Sequence, residues 1–421
     1  MSKKSDTSCA ENGIYTPLPA AAPSNTVLDF NTIDPVGNQS IVSSGAMSFS
    51  MVGCSGDPAT QTNTLAVAEA MIQAGPGSFF YHLGDLTYTP DESGSGSSAD
   101  TATNNDEPPL WNSQFYAPYS KYPKTIFSIA GNHDGKASST PAQSQIANYF
   151  ANFCANSNQW PTPWTQNSTD QRPAVIQPYP YWTLVTPLAY IVGLYTNVVN
   201  GGMLDDPSQY PRFTDGPQYQ WLVAQLQSIA AQNRKAAQKR AVLLALHYPP
   251  YSGAANFNVR GDQSRGKSKG SGNAPYLAVA IQQAFTDAGQ RPDVIYSAHA
   301  HLFQRLSYTF ADGTVMPCIV AGCGGHSPLE VLSEPCAGGK PGTEPSCPFP
   351  AVLPGKFQFP AGESAVVNFY QDGQKGGRFG FAQTTIQART LNFQFIDTAG
   401  NVADSFTLDL DAHQLHSTAQ A

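Results

Sequence analysis

The chain has 421 residues, a net charge of −8, and 12% charged residues. Its hydrophobic fraction of 41% supplies a large core, which excludes a chain that is disordered throughout. No run approaches roughly 18 apolar residues, so no membrane span is expected, and the acidic balance argues against a nucleic-acid partner.

The hydrophobic pattern predicts strands that alternate with helices, followed by a strand-rich last part. Expected strands lie near 47–51, 79–83, 125–130, 181–185, 189–194, 240–246, 294–298, 390–396 and 405–410. Expected helices lie near 65–72, 221–229 and 277–285. This alternation is typical of a layered α/β architecture rather than an all-β one.

The composition predicts one large domain with polar ends. The polar, Pro- and Ser-rich residues 1–45 are predicted to form an N-terminal arm on the surface, and 413–421 a tail. The domain itself is expected over 46–412, with loop insertions near 89–123, 135–178 and 252–273.

Cysteine count and the N-terminus bear on the compartment. The seven cysteines leave at least one thiol unpaired within the chain. Cys336 and Cys347 bracket a Gly- and Pro-rich loop and are predicted to form a disulfide in an oxidising compartment, with Cys54 as the leftover thiol. Residues 1–26 lack the apolar stretch of a signal peptide. Composition and cysteines favour a secreted or periplasmic protein, with a cytoplasmic one as the alternative.

Polar side chains follow four of the predicted strands where each strand ends. They are Asp85, Asn132, His247, and the pair His299 and His301. The carboxyl ends of strands in α/β sheets meet at one crevice, where ligands bind. One such Asp or Asn is usually a turn former and one such His usually a core residue, but five of them at four strand ends favour a shared site. Carboxylate, amide and imidazole donors suit Zn, Mn or Fe.

Four sequence blocks make the chain resemble the calcineurin-like metallophosphoesterase superfamily, and within it the purple acid phosphatases. The blocks are Gly84-Asp85-Leu86-Thr87-Tyr88, Gly131-Asn132-His133-Asp134, His247-Tyr248-Pro249-Pro250-Tyr251-Ser252 and Ala298-His299-Ala300-His301-Leu302-Phe303-Gln304-Arg305. The resemblance covers about residues 47–410. It implies a four-layer α/β/β/α sandwich.

The resemblance also implies a metal site with one or two ions and assigns roles to its residues. Asp85 would bridge two metals; Asn132, His247 and His299 would complete one shell; Tyr88 and His301 would bind the other metal; and His133 would donate a proton or bind phosphate. The implied reaction is hydrolysis of a phosphomonoester on a phosphorylated small molecule, through attack by metal-bound hydroxide. A phosphodiesterase acting on cyclic nucleotides or phospholipids is the alternative enzyme.

The first metal position departs from the family pattern. Where the family has an Asp, this chain has Cys54. Three hypotheses stay open: Cys54 is a thiolate ligand that favours a softer cation such as Zn, Asp57 substitutes for the missing carboxylate, or Cys54 is an inert buried thiol. The third hypothesis includes a degenerate protein that only binds its ligand.

Overall fold

The computed structural model describes most of the chain in separate stretches. They are residues 22–88, 110–135, 145–154, 175–196, 213–254, 277–332, 347–348, 359–373 and 376–417. Cys336 lies outside these stretches, and with it the predicted disulfide. The cysteines that the structure describes as free are all buried: Cys54, Cys154, Cys318 and Cys323.

Two sheets and six α-helices form the described part of the chain. The strands are β1 (Val27–Asp29), β2 (Ala46–Val52), β3 (Phe79–His82), β4 (Thr125–Ser128), β5 (Trp182–Val185), β6 (Ala189–Gly193), β7 (Ala241–Ala245), β8 (Val294–Ser297), β9 (Phe303–Thr309), β10 (Val315–Ala321), β11 (Cys347–Pro348), β12 (Ser364–Gln371), β13 (Gly380–Gln387), β14 (Thr390–Asp397), β15 (Val402–Asp409) and β16 (Gln414–Ser417). The helices are α1 (Phe30–Ile33), α2 (Pro35–Ser44), α3 (Thr62–Gln73), α4 (Gln145–Tyr149), α5 (Pro217–Lys235) and α6 (Leu277–Ala288).

The larger sheet has nine strands in the order β1-β5-β6-β7-β8-β10-β9-β12-β11, and the smaller has seven in the order β16-β15-β14-β13-β2-β3-β4. Strands β6, β7 and β8 run parallel in the larger sheet, and β2, β3 and β4 run parallel in the smaller one. The C-terminal strands β13 to β16 pair antiparallel, which explains why no helix separates them in the sequence.

The sheets pack face to face and each outer face is covered by helices. The central core joins side chains of both sheets, for example Phe49 and Phe393 with Leu243 and Phe303. A second core lies between the larger sheet and helices α5 and α6, and a third lies between the smaller sheet and α3. These layers are the predicted α/β/β/α sandwich.

The two ends of the domain are more ordered in the structure than their polar composition indicated. Strand β1 pairs with β5, and the fully buried Phe30 packs against Phe79 at a ring distance of 5.5 Å. Helix α2 begins with Pro35 at its first turn, and the Asp34 carboxylate accepts the Gly37 N–H at 2.8 Å, a capping arrangement that starts a helix in a polar sequence. Residues 22–45 are therefore part of the packed domain rather than a surface arm. At the other end β16 pairs with β15, so 414–417 extend the smaller sheet instead of forming a free tail.

A buried ion pair joins the two sheets. Arg305 on β9 donates to both carboxylate oxygens of Asp404 on β15, at 2.7 and 2.9 Å. The two side chains are 1% and 5% exposed, so neither charge is well solvated. The bidentate geometry gives the guanidinium two charge-assisted hydrogen bonds and links the two sheets.

We expect Asp404→Ala to lower the free energy of unfolding by about 3–5 kcal/mol, because it leaves a buried guanidinium without its carboxylate. Urea denaturation measures the change. Arg378→Met is the matched control: Arg378 is 52% exposed and lies 3.3 Å from Asp397, so its loss should cost less than about 1 kcal/mol. If both variants lower the free energy of unfolding equally, the buried pair Arg305–Asp404 contributes no more stability than an exposed pair.

Candidate metal centre

The predicted site residues converge at one edge of the sandwich. Asp85 follows β3 and Asn132 follows β4 in the smaller sheet, while His247 follows β7 and His299 follows β8 in the larger sheet. Because these strands are parallel within each sheet and the sheets face each other, their carboxyl ends bring the four side chains together. The sequence prediction of a shared crevice agrees with this arrangement.

The carboxylate of Asp85 lies at the centre and has no solvent exposure. Its Oδ1 accepts the backbone N–H of His133 at 2.9 Å. Its Oδ2 accepts the Tyr88 hydroxyl at 3.0 Å and lies 3.1 Å from His247 Nε2 and 3.8 Å from the Cys54 sulfur. One carboxylate therefore contacts residues from both sheets.

The imidazole of His247 presents an unprotonated nitrogen to other acceptors. Its Nδ1 lies 2.7 Å from the Leu83 carbonyl oxygen, which only accepts, so Nδ1 carries the proton in the neutral ring. Its Nε2 then faces Asp85 Oδ2 and Asn132 Oδ1, each at 3.1 Å. Three lone-pair atoms so close repel one another, and a cation between them would turn that repulsion into coordination.

The backbone is held in unusual conformations at three candidate ligands. Cys54, Asp85 and His299 have φ values of 54°, 58° and 63°, in the left-handed region that residues with a Cβ seldom adopt. Such strain persists only where surrounding contacts enforce it, and it concentrates at functional sites.

A glycine beside the site permits the close approach of two loops. A Cβ on Gly131 would lie 2.1 Å from Asp85 Oδ1 and 2.4 Å from the Asp85 nitrogen. Only glycine therefore fits between β4 and the Asp85 carboxylate.

Asp134 ties the two loops together. Its carboxylate accepts backbone N–H groups from Asp85 at 2.7 Å, Leu86 at 3.0 Å and Gly131 at 2.9 Å. Burial and the neighbouring Asp85 charge raise the pKa of Asp134 to about 7. Asp134 belongs to a block singled out in the sequence, but its clamping role was missed because hydrogen bonds to backbone groups leave no sequence pattern.

Cys54 lies within the cluster and Asp57 does not. The ligand atoms of Cys54, Asp85 and His301 all lie within 4.8 Å of one another, as do those of Asp85, His247 and His299. The Cys54 sulfur also accepts the His299 N–H at 3.2 Å. Asp57 Oδ1 instead accepts the N–H of Ala59 at 2.8 Å, so this carboxylate oxygen already serves a local turn.

The Tyr88 ring lies between two imidazoles. The His326 ring stacks on it at 3.7 Å with an interplanar angle of 13°, and the His133 ring lies 4.1 Å away. The Tyr88 oxygen lies 3.2 Å from His301 Nε2. Sequence reasoning missed His326, which follows a glycine turn rather than a family block; its Nδ1 lies 2.8 Å from the Gly56 carbonyl oxygen.

Burial sets the protonation of the donors. It lowers the pKa of His299 and His301 well below the ordinary value, which keeps both imidazoles neutral and able to coordinate. Burial and the Asp85 charge raise the pKa of the Cys54 thiol and the Tyr88 phenol. For Asp85 itself burial raises the pKa, but the positive charges that His247 and His133 carry when their rings are protonated outweigh burial and hold the pKa well below the usual range.

The donor set fits divalent cations. For bonds of about 2.0–2.3 Å, adjacent donors on one ion lie roughly 3.0–3.7 Å apart. The spacings of 3.1 Å between Asp85 and His247 and 3.8 Å between Asp85 and Cys54 are close to this range. The two triads share Asp85, so the arrangement has room for one ion on each side of its carboxylate.

The comparison with protein families decides the family. Residues 52–303 match the calcineurin-like phosphoesterase model, which covers more than half of the chain. The chain belongs to the calcineurin-like phosphoesterase family. This confirms the superfamily resemblance of the sequence blocks.

Solved structures with a similar fold are distant in sequence. GAP50, described as the anchor in the inner membrane complex of Plasmodium, is 14% identical with a TM-score of 0.49, and the match covers 89% of this chain and 90% of that one. PhoD is 13% identical with a TM-score of 0.49, covering 89% and 72% of the two chains. No curated protein sequence is similar enough to this chain to count as a match. Among the described residues, no helix has the length and apolarity needed to cross a membrane.

We expect Asp134→Asn to weaken metal binding about 10–100-fold, because an amide cannot accept all three backbone N–H groups that position Asp85. Titration of this phosphoesterase with Zn²⁺ against a competing chelator measures the affinity. Asp397→Asn is the control, since Asp397 accepts the N–H groups of Ala399 and Asn401 in a turn that contributes no ligand. An unchanged affinity in Asp134→Asn would remove Asp134 from the support of the site.

Proposed function

We propose that this calcineurin-like phosphoesterase is a metal-dependent hydrolase of phosphomonoesters. The observation that carries the proposal is the pair of donor triads that share the buried Asp85. Two cations held about 4 Å apart bind phosphoryl oxygens and lower the pKa of a coordinated water, which supports in-line displacement at phosphorus. The family membership supports the same reaction class.

One cation position would be held by residues of both sheets. His247 and His299 supply imidazoles, and Asn132 supplies an amide oxygen at 3.1 Å from His247. The Nδ1–H of His247 donates to the Leu83 carbonyl, which fixes the ring so that its lone pair faces Asp85.

The other position, where Cys54 departs from the family pattern, would be held by Cys54, Tyr88 and His301. Of the three hypotheses for Cys54, we favour the thiolate ligand, because its sulfur lies among the donors while Asp57 is engaged in a turn. A sulfur ligand in place of a carboxylate favours Zn²⁺ over a harder ion such as ferric iron. Iron and manganese are the alternatives.

His133 would act on the leaving group. Its backbone N–H donates to Asp85 Oδ1 at 2.9 Å, and its ring lies 4.1 Å from the Tyr88 ring at a tilt of 34°. An imidazolium there can give its proton to the departing alkoxide, a step that helps a monoester with a poor leaving group.

We expect His247→Ala to lower the rate of p-nitrophenyl phosphate hydrolysis at least about a thousandfold, because it removes a ligand from the cation that stabilises the developing charge. Chelation should abolish activity, and Zn²⁺ or Mn²⁺ should restore it. His416→Ala, on the exposed strand β16, is the control and should retain wild-type rates. Full activity after verified metal removal would contradict the mechanism, and faster turnover of a bis-ester than of the monoester would favour the phosphodiesterase alternative.

We expect the Co²⁺-loaded protein to show a thiolate-to-cobalt charge-transfer band in the near ultraviolet, and Cys54→Asp to lose it, because only a coordinated sulfur gives this transition. Cys323→Ser is the control, since Cys323 is buried and free but belongs to neither triad. A wild-type spectrum without the band would show that Cys54 is an inert thiol. If neither the wild type nor Cys54→Asp binds metal, the result would favour a protein that binds its ligand without catalysis.

A further inference from the structure

A cavity lies at the end of the sandwich opposite the metal centre. It has a volume of about 330 Å³, within the size range of small-ligand pockets. Arg240 and Asp293 line it where β7 and β8 begin, whereas His247 and His299 follow the ends of the same strands. The seven-residue separation of Arg240 and His247 along an extended strand corresponds to roughly 20 Å. The cavity is therefore separate from the candidate metal centre.

The cavity concentrates positive charge in an acidic chain. Five of the 22 lysines and arginines line it: Arg234, Lys239, Arg240, Arg291 and Arg389. Two acidic residues, Asp293 and Asp411, line it with them, and Asp411 pairs with Arg389 at 3.2 Å. Burial raises the pKa of Asp293 to about 7, which reduces its negative charge near neutral pH. The five lining cations still outnumber the carboxylates at the cavity, Asp293, Asp411 and the Asp312 that pairs with Arg291, and this excess favours an anion.

The cations differ in how firmly they are held. Arg240 donates to the Tyr190 hydroxyl at 2.8 Å. Arg291 lies over the Phe310 ring at 4.0 Å and also pairs with the Asp312 carboxylate at 2.6 Å, so both guanidiniums have fixed positions. Arg234 and Lys239 are exposed and form no ion pair within the described residues. Fixed guanidinium forks position phosphate or carboxylate oxygens, and the two remaining cations add charge at the mouth.

Backbone strain marks the same end of the molecule. Six described residues other than glycine have positive φ; three belong to the metal centre, and the others are Ala388, Arg389 and His413. Arg389 and His413 line the cavity. Ala388 and Arg389 form the two-residue turn between β13 and β14, where Asn-Gly is the favourable choice. Arg389 adopts this unfavourable backbone conformation at the position where its side chain lines the cavity.

Arg389 also connects the two sheets at this cavity. Its guanidinium donates to the Leu410 carbonyl at 2.7 Å in the smaller sheet and to the Lys239 carbonyl at 3.3 Å beside β7 of the larger sheet. A ligand held between these elements would contact both sheets.

We propose that this cavity binds a small polyphosphate-bearing anion and that binding ties the two sheets together at the end remote from the metal centre. The proposal is independent of the catalytic assignment. Inorganic polyphosphate and a nucleoside triphosphate share this chemistry, and the phosphate chain is the part that the arginines would contact.

Calorimetric titration with tripolyphosphate tests the proposal in the full-length chain carrying His247→Ala, which removes turnover at the metal centre. We expect one binding site, and a weakening of at least tenfold when Arg234→Gln and Lys239→Gln are added. Lys121→Gln with Lys235→Gln is the matched control, because both lysines are exposed and outside the cavity, yet the net charge changes equally. The control pair should leave the affinity unchanged.

Thermal unfolding gives a second readout that does not need a folded double variant. Tripolyphosphate should raise the melting temperature of the full chain, since a ligand that binds only the folded state stabilises it. Arg291→Gln should diminish the rise. Equal response to tripolyphosphate and ATP would support recognition of the phosphate chain. Absence of binding, equal weakening by both double substitutions, or tighter binding of citrate than of tripolyphosphate would overturn the proposal.

Discussion

A carboxylate with no solvent exposure is the constraint on which this site depends. Asp85 gives up hydration and must recover that free energy from neighbouring groups. The His133 N–H and the Tyr88 hydroxyl recover part of it. While the His247 proton is on Nδ1, however, Nε2 has none and cannot donate a hydrogen bond to the carboxylate. The strained backbone, the Asp134 clamp and the glycine at 131 all maintain an arrangement whose electrostatics favour bound cations.

In the proposed centre, Cys54 stands where the family pattern has a carboxylate and would change which cations bind. The sulfur occupies the turn after β2, hydrogen-bonded to the His299 backbone and beside the Asp85 carboxylate. Burial opposes ionisation of the thiol, so a thiolate there needs a cation as partner. Metal binding and thiol ionisation are then one coupled event. A preference for softer cations follows from that coupling rather than from pocket size.

The sequence predicts the layered fold and the candidate ligands better than it predicts the strand pairing and packing contacts that hold them in place. Polar residues directly after apolar strands, such as Asp85 and His247, are visible because parallel strands share an edge. The sequence does not show that β2 to β4 belong to one sheet and β5 to β8 to the other, because pairing between distant segments leaves no local periodicity. Phe30 was missed because one aromatic in a polar segment carries no pattern. His326 was missed because its place against Tyr88 comes from packing alone.

Anomalous diffraction from crystals grown with Zn²⁺ tests the shared role of Asp85 most directly. If its carboxylate bridges two cations, we expect two peaks about 4 Å apart, one beside His247 and one beside Cys54. A single peak beside His247 would contradict the bridge and leave Cys54 without a ligand role. No peak near Asp85 in metal-replete crystals would contradict a metal centre at this edge of the sandwich.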